Sequence, residues 1–145
     1  MKIKELLTGR EVLTLGEKSS VLDAARAMSA KKVGAVLVTG ADGRLAGIFT
    51  ERDLMSRVVV ARLDPEKITL REVMTRDLFS VGPEREVADV QSELQRRHIR
   101  HIPVVVDGRV VGILSVRDLL RSDVDQMSHK VEALENYFLG GPELP

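Results

Sequence analysis

The sequence predicts an α/β (α+β) fold. Two copies of one β-α-β-β-α repeat pack about a pseudo-twofold axis, and a C-terminal helix follows. Three observations predict it. The chain matches itself at a nearly constant displacement; each copy carries a helical apolar pattern followed by two short apolar runs; and an Asp-Gly pair joins those runs in both copies. At 145 residues the chain suits one compact domain.

At a displacement of 66 residues, Val12-Leu13-Thr14-Leu15-Gly16 falls on Leu78-Phe79-Ser80-Val81-Gly82. Val21 then meets Val87, Asp23 meets Asp89, Met28 meets Leu94 and Val33 meets Ile99. One residue is lost in a turn and the displacement becomes 65, so that Asp42-Gly43-Arg44 meets Asp107-Gly108-Arg109. Gly47-Ile48-Phe49-Thr50 meets Gly112-Ile113-Leu114-Ser115, and Arg52-Asp53-Leu54 meets Arg117-Asp118-Leu119. The lead-ins match too: Ile3-Lys4-Glu5-Leu6-Leu7-Thr8 resembles Leu70-Arg71-Glu72-Val73-Met74-Thr75.

Each element follows in order. A short strand is expected at 13–15 and again at 79–81. A helix comes next, with Val21, Ala24, Ala25 and Met28 at helical spacing, and Val87, Val90 and Leu94 in the second copy. Buried-type strands are expected at 35–38 and 102–106, followed by Asp-Gly turns in which glycine tolerates positive φ. Partner strands run over 45–49 and 110–114, and second helices begin at Thr50 and Ser115. Pro65 falls in the linker, while Pro103 inside an apolar run implies an edge strand or a strand start. The expected units are repeat one at 1–62, repeat two at 63–121, and a helix and tail at 122–145. A copy of about 60 residues is marginal alone. Two copies can cover each other's sheets and leave two related clefts between them. In the tail, Ser122-Asp123 reads as a helix start, and Val124, Met127, Val131, Leu134 and Phe138 form one apolar stripe before Gly140-Gly141-Pro142. That stripe either folds back on its own module or covers a second subunit.

Composition narrows the function. Aromatic residues make up 3% with no Trp, so the core is aliphatic and offers few stacking platforms for single-stranded nucleic acid. Lys plus Arg equals Asp plus Glu at 22 each, which lacks the basic excess of a general nucleic-acid or acidic-membrane binder. With no Cys, disulfides and thiolate catalysis are excluded. No signal peptide is legible, and the longest apolar stretch, Val58-Val59-Val60-Ala61, is far too short for a bilayer. The expectation is a cytoplasmic protein.

The repeated Gly-hydrophobic-x-Thr/Ser-x-x-Asp junction carries the chemistry. Gly47-Ile48-Phe49-Thr50-Glu51-Arg52-Asp53 and Gly112-Ile113-Leu114-Ser115-Val116-Arg117-Asp118 each place a hydroxyl at a helix start and a carboxylate three residues on. A carboxylate accepts both hydroxyls of a vicinal diol, and a helix N-terminus favours a phosphate. The same spacing is also a capping box, a purely local role. Arg100 and His101 enter the second strand of copy two where copy one has Gly34 and Ala35. They suit a phosphate, or simply form a solvated basic strand end. Lys31-Lys32 and Arg96-Arg97 complement helix dipoles, with phosphate contact as the other reading. His98, His101 and His129 have no Cys or spaced acid to complete a metal set. No nucleophile–base set or GxxxxGK loop points to an enzyme.

On these two junctions, and on Arg97-His98-Ile99-Arg100-His101-Ile102-Pro103-Val104, residues 1–121 resemble a tandem pair of cystathionine-β-synthase (CBS) domains, a Bateman module. The resemblance implies a regulatory module without catalysis or a required cofactor. Its ligand would be AMP, ADP or ATP, or as variants S-adenosylmethionine, NAD(H) or a cyclic dinucleotide. It assigns ribose to Asp53 and Asp118, ribose or phosphate to Thr50 and Ser115, and an adenine slot to Leu13, Val33, Phe79 and Ile99, with Thr8 and Thr75 at the rim. It also implies a homodimer that signals in trans to an effector protein. A structural or dimerisation scaffold with degenerate ligand sites is the competing reading.

Overall fold

In the computed structural model the described residues are 1–7 and 12–138, without the side chains at 122, 125, 126 and 138. The first repeat forms β1 (Thr14–Gly16), α1 (Val21–Lys31), β2 (Ala35–Thr39), β3 (Leu45–Thr50) and α2 (Glu51–Asp53), which runs on as a π-helical stretch over Leu54–Val59. Its sheet has the order β1-β2-β3, with β1 parallel and β3 antiparallel to β2. Helix α1 begins where Ser20 Oγ accepts from the Asp23 amide at 3.1 Å, and its apolar face buries Val21, Ala24 and Met28.

The second repeat supplies α3 (Leu70–Val73), α4 (Val87–Arg97), β4 (His101–Val106), β5 (Arg109–Ser115) and α5 (Val116–Phe138). The strand expected at 79–81 does not form. Only Val81 pairs with Val104, through Val81 N–H to Pro103 O at 3.0 Å and Val105 N–H to Val81 O at 2.9 Å. Pro103 is the reason. In the first repeat the aligned Leu37 donates its amide to Leu13 O at 3.0 Å; proline has no such donor, so the ladder cannot extend to Phe79. Pro103 still pairs with Ile113 of β5 through its other neighbours.

The hairpin turns explain the changed displacement. Asp107 and Gly108 both have positive φ, 52° and 78°, as a two-residue turn of the hairpin type requires. The first copy has a longer loop, closed by Gly40 N–H to Arg44 O at 2.9 Å, with only Gly43 at positive φ. Leu45 N–H donates to Gly108 O at 2.9 Å, tying the two turns together. Behind them Ala35, Leu37 and Ile48 form a buried layer against Val110, Ile113, Val12 and Leu78, which joins the repeats.

Each repeat completes its core with the lead-in of the other. Leu70, Val73 and Met74 lie in the cluster with Val21, Val36 and Phe49. Ile3 lies in the cluster with Val87, Ile102 and Leu114, and its amide donates to Arg85 O at 2.9 Å. Thr75 and Ile48 exchange two backbone hydrogen bonds at 2.9 and 3.0 Å. Gly47 sits under this crossing: a Cβ there would lie 2.8 Å from Thr75 O and 2.6 Å from Met74 Sδ. Helix α5 is continuous from Val116, so Ser122-Asp123 does not open a separate helix. No Gly or Pro interrupts 116–138, and the helix simply propagates.

Candidate functional site

Both strand-to-helix junctions close as capping boxes. In the first, Asp53 N–H donates to Thr50 Oγ1 at 3.2 Å and Thr50 N–H donates to Asp53 Oδ2 at 3.0 Å. In the second, Asp118 N–H donates to Ser115 Oγ at 3.2 Å, and Asp118 Oδ2 accepts from Ser115 N–H at 2.9 Å and Ser115 Oγ at 3.0 Å. The local role is therefore real in both copies, and it fixes each carboxylate at the mouth of its helix.

The surroundings differ. Asp53 is buried at 8% exposure, with Thr75 Oγ1 3.5 Å and Arg57 Nε 3.7 Å from its Oδ1. Arg57 also donates to Val73 O at 2.9 Å, so it is held in place. Asp118 is half-buried. The position aligned with Arg57 is Ser122.

The helix mouths also differ in charge. Glu51 N–H donates to Gly34 O at 3.0 Å, and Val116 N–H donates to Arg100 O at 2.9 Å, so the two positions are structurally equivalent. At the first mouth the Glu51 carboxylate lies 3.5–3.8 Å from where a Cβ on Gly34 would stand. At the second mouth Val116 replaces the acid and exposed Arg100 replaces the glycine. The first mouth thus carries an acid and the second a guanidinium.

His101 is half-buried beside the second mouth. Burial pushes its pKa below the ordinary 6.5; Arg100 pushes the same way, while Glu51 and Asp118 oppose it. The unfolded chain therefore binds this proton more readily than the folded one. Stability from neutral His101 is complete above pH 6.5 and is lost as pH falls below it, levelling off once folded His101 is protonated. Urea midpoints at about pH 7.5 and about pH 5.5 test this: the wild-type drop on acidification is expected to shrink in His101→Gln.

The remaining residues fall in several places. Thr75 joins Thr50 and Asp53 in one constellation. Leu13 packs on the first core; Phe79 and Ile99 pack together on the second. Val33 is 40% exposed. Thr8 lies outside the described residues. Arg97 stacks on Phe79 with its guanidinium carbon 4.6 Å from the ring centroid. Glu93 holds Arg96 at 2.6 Å and Arg97 at 3.0 Å. Lys32 and His98 are the left-handed C-caps of α1 and α4. Among the described residues no three His, Cys, Asp or Glu side chains gather as metal ligands, and no helix is long and apolar enough to cross a membrane. Sequence reasoning missed Arg57, whose i+4 spacing from Asp53 was legible, and Glu51, legible as a mismatch with Val116.

The model of the CBS domain matches this chain twice, at residues 3–60 and 70–125. A CBS domain-containing protein of Arabidopsis thaliana, CBSCBSPB2, is 33% identical over 122 residues, covering 84% of this chain. The chain spans only 23% of that relative's length. Among solved structures, the CBS domain protein NE2398 superposes with a TM-score of 0.78 at 32% identity, covering 85% of this chain and 98% of its own. Protein PAE2072 of Pyrobaculum aerophilum, complexed with AMP, gives 0.75 at 29% identity, covering 81% and 89%. The domain pair of MJ0100, in complex with 5-methylthioadenosine and S-adenosylmethionine, gives 0.78 at 25% identity, covering 87% and 98%.

Proposed function

This chain belongs to the CBS-domain family, and from that membership we propose that it is a non-catalytic sensor which binds an adenine nucleotide of the AMP, ADP or ATP type at the Asp118 mouth. The carrying observation is the charge inversion between equivalent positions: Gly34 with Glu51 in one repeat, Arg100 with Val116 in the other. A phosphate would gain an exposed guanidinium and the N-terminus of a 23-residue helix at the second mouth. In this reading Asp118 takes the ribose hydroxyls and His101 the phosphate edge. The adenosyl ligands of the PAE2072 and MJ0100 structures support the ligand class. The module acts in the cytoplasm as a homodimer and passes its state to an effector protein in trans. A ligand can do so only by binding two arrangements of the repeats unequally.

The scaffold reading has its own support. Both acids are already used as caps, so neither needs a ligand to justify it. Isothermal titration with AMP, ADP, ATP, S-adenosylmethionine and NADH separates the two. The sensor requires that a phosphate-bearing nucleotide binds and that Arg100→Ala weakens it. Silence from all five favours the scaffold; tighter S-adenosylmethionine binding, indifferent to Arg100, redirects the ligand class.

A further inference from the structure

We propose that the C-terminal half of α5 is a self-complementary coiled-coil seam that pairs two copies of this chain in parallel and in register. The inference rests on the homodimer part of the functional reading and not on nucleotide binding. Helix α5 has 23 residues, about 35 Å at 1.5 Å per residue. Gln91 Nε2 ties it to α4 by donating to Asp123 Oδ1 at 3.0 Å. Beyond that tie, every described side chain from 127 to 137 is exposed. The exposed stretch from 127 to 137, taken alone, is short enough to be marginal as a helix in water.

The exposed apolar residues are regularly spaced. Leu120, Val124, Met127, Val131 and Leu134 are 48–67% exposed and follow one another at intervals of four, three, four and three. That is a 3.5-residue period, the mark of a seam between two helices rather than of a face on a globular core. With Val124 as heptad position a, Val131 is also a, while Leu120, Met127 and Leu134 are d. β-Branched residues at a, with Leu or another residue not branched at Cβ at d, are the combination that favours two parallel strands.

Charge selects a second copy as the occupant. Lys130 falls at g and Glu135 at the following e. In a parallel, in-register pair each Lys130 faces the Glu135 of the partner helix, and the twofold axis makes the contact twice.

The chain has no cysteine, so single introduced thiols report the geometry without background. In the full-length protein, Met127→Cys and Leu134→Cys, both at d, are expected to form disulfide-linked dimers under mild oxidation. Glu132→Cys, on the outer face, is expected to stay monomeric on a non-reducing gel. Light scattering after size exclusion is expected to show a wild-type dimer, lost in Leu134→Asp. That substitution is at an exposed position, and unchanged circular dichroism checks the fold. Lys130→Glu is expected to shift the dimer toward monomer, with Glu135→Lys in the same chain restoring it. A monomeric wild type overturns the seam and the homodimer together. A dimer that survives Leu134→Asp without d-position crosslinks overturns the seam alone.

Discussion

Asp118→Ala is expected to weaken nucleotide binding by about 10–100-fold, the consequence of losing charge-assisted hydrogen bonds worth roughly 1.5–3 kcal/mol. Asp53→Ala is expected to leave affinity nearly unchanged and to lower stability instead. The difference comes from the neighbours. The buried Asp53 carboxylate already receives Thr50 N–H and Thr75 Oγ1 and lies beside the half-exposed Arg57. Removing it strands the part-buried threonine donors, at about 1 kcal/mol or somewhat more each. Asp118 stands beside the Arg100 mouth, where on the proposed reading the guanidinium would add to what a nucleotide gains. Because Asp118 also caps α5, Asp118→Asn is the needed companion: its amide oxygen can still accept from Ser115 N–H while the charge is gone. Titration calorimetry alongside urea unfolding reads both quantities. Affinity lost in Asp53→Ala and retained in Asp118→Ala would move the ligand to the other mouth.

The second large effect is at Gly47. Gly47→Ala is expected to destabilise by about 1–3 kcal/mol, the usual range for overpacking a filled site. That amounts to a melting temperature lower by roughly 2–10 °C. The new methyl would press on Thr75 O, a backbone atom that accepts from Ile48 N–H, so relief requires moving the crossing itself. The equivalent Gly112→Ala is the control. Its closest neighbour, at 2.6 Å, is the Cδ2 methyl of Leu7, the end of a side chain that can turn away. Its change is expected to be within about 0.5 kcal/mol, since alanine also reduces unfolded-state freedom. Equal losses in both would mean that the Thr75 crossing is soft.

Much of this was legible in the chain, because the repeat constrains each position twice. The hairpins, the paired capping boxes and the acid in each follow from residue types at fixed spacing. The lost strand at 79–81 was foreshadowed by Pro103, but its effect depends on which neighbour the missing N–H would have served, a matter of register. Arg57 and Glu51 escaped notice because reading by similarity looks for what the copies share, and the proposed function turns on where they differ. The destination of the lead-ins was hidden for another reason. Ile3 and Leu70 match each other in sequence, yet each is buried in the opposite repeat, and nothing local distinguishes that from burial at home.

That exchange of lead-ins governs the order in which the protein can acquire structure during synthesis. Residues 1–7 are made before the surface that receives Ile3, which includes Arg85, Val87 and Leu114, some 80–110 residues later in the chain. The first repeat likewise waits for residues 70–74. Contacts between distant parts of the chain must close loops before they contribute, which slows folding. The segment 1–7 therefore stays an unsatisfied apolar stretch until the second repeat has been made. The first core can close once residues 70–74 are made, whereas the second closes only when Ile3 and the strands around Ile102 and Leu114 are both available.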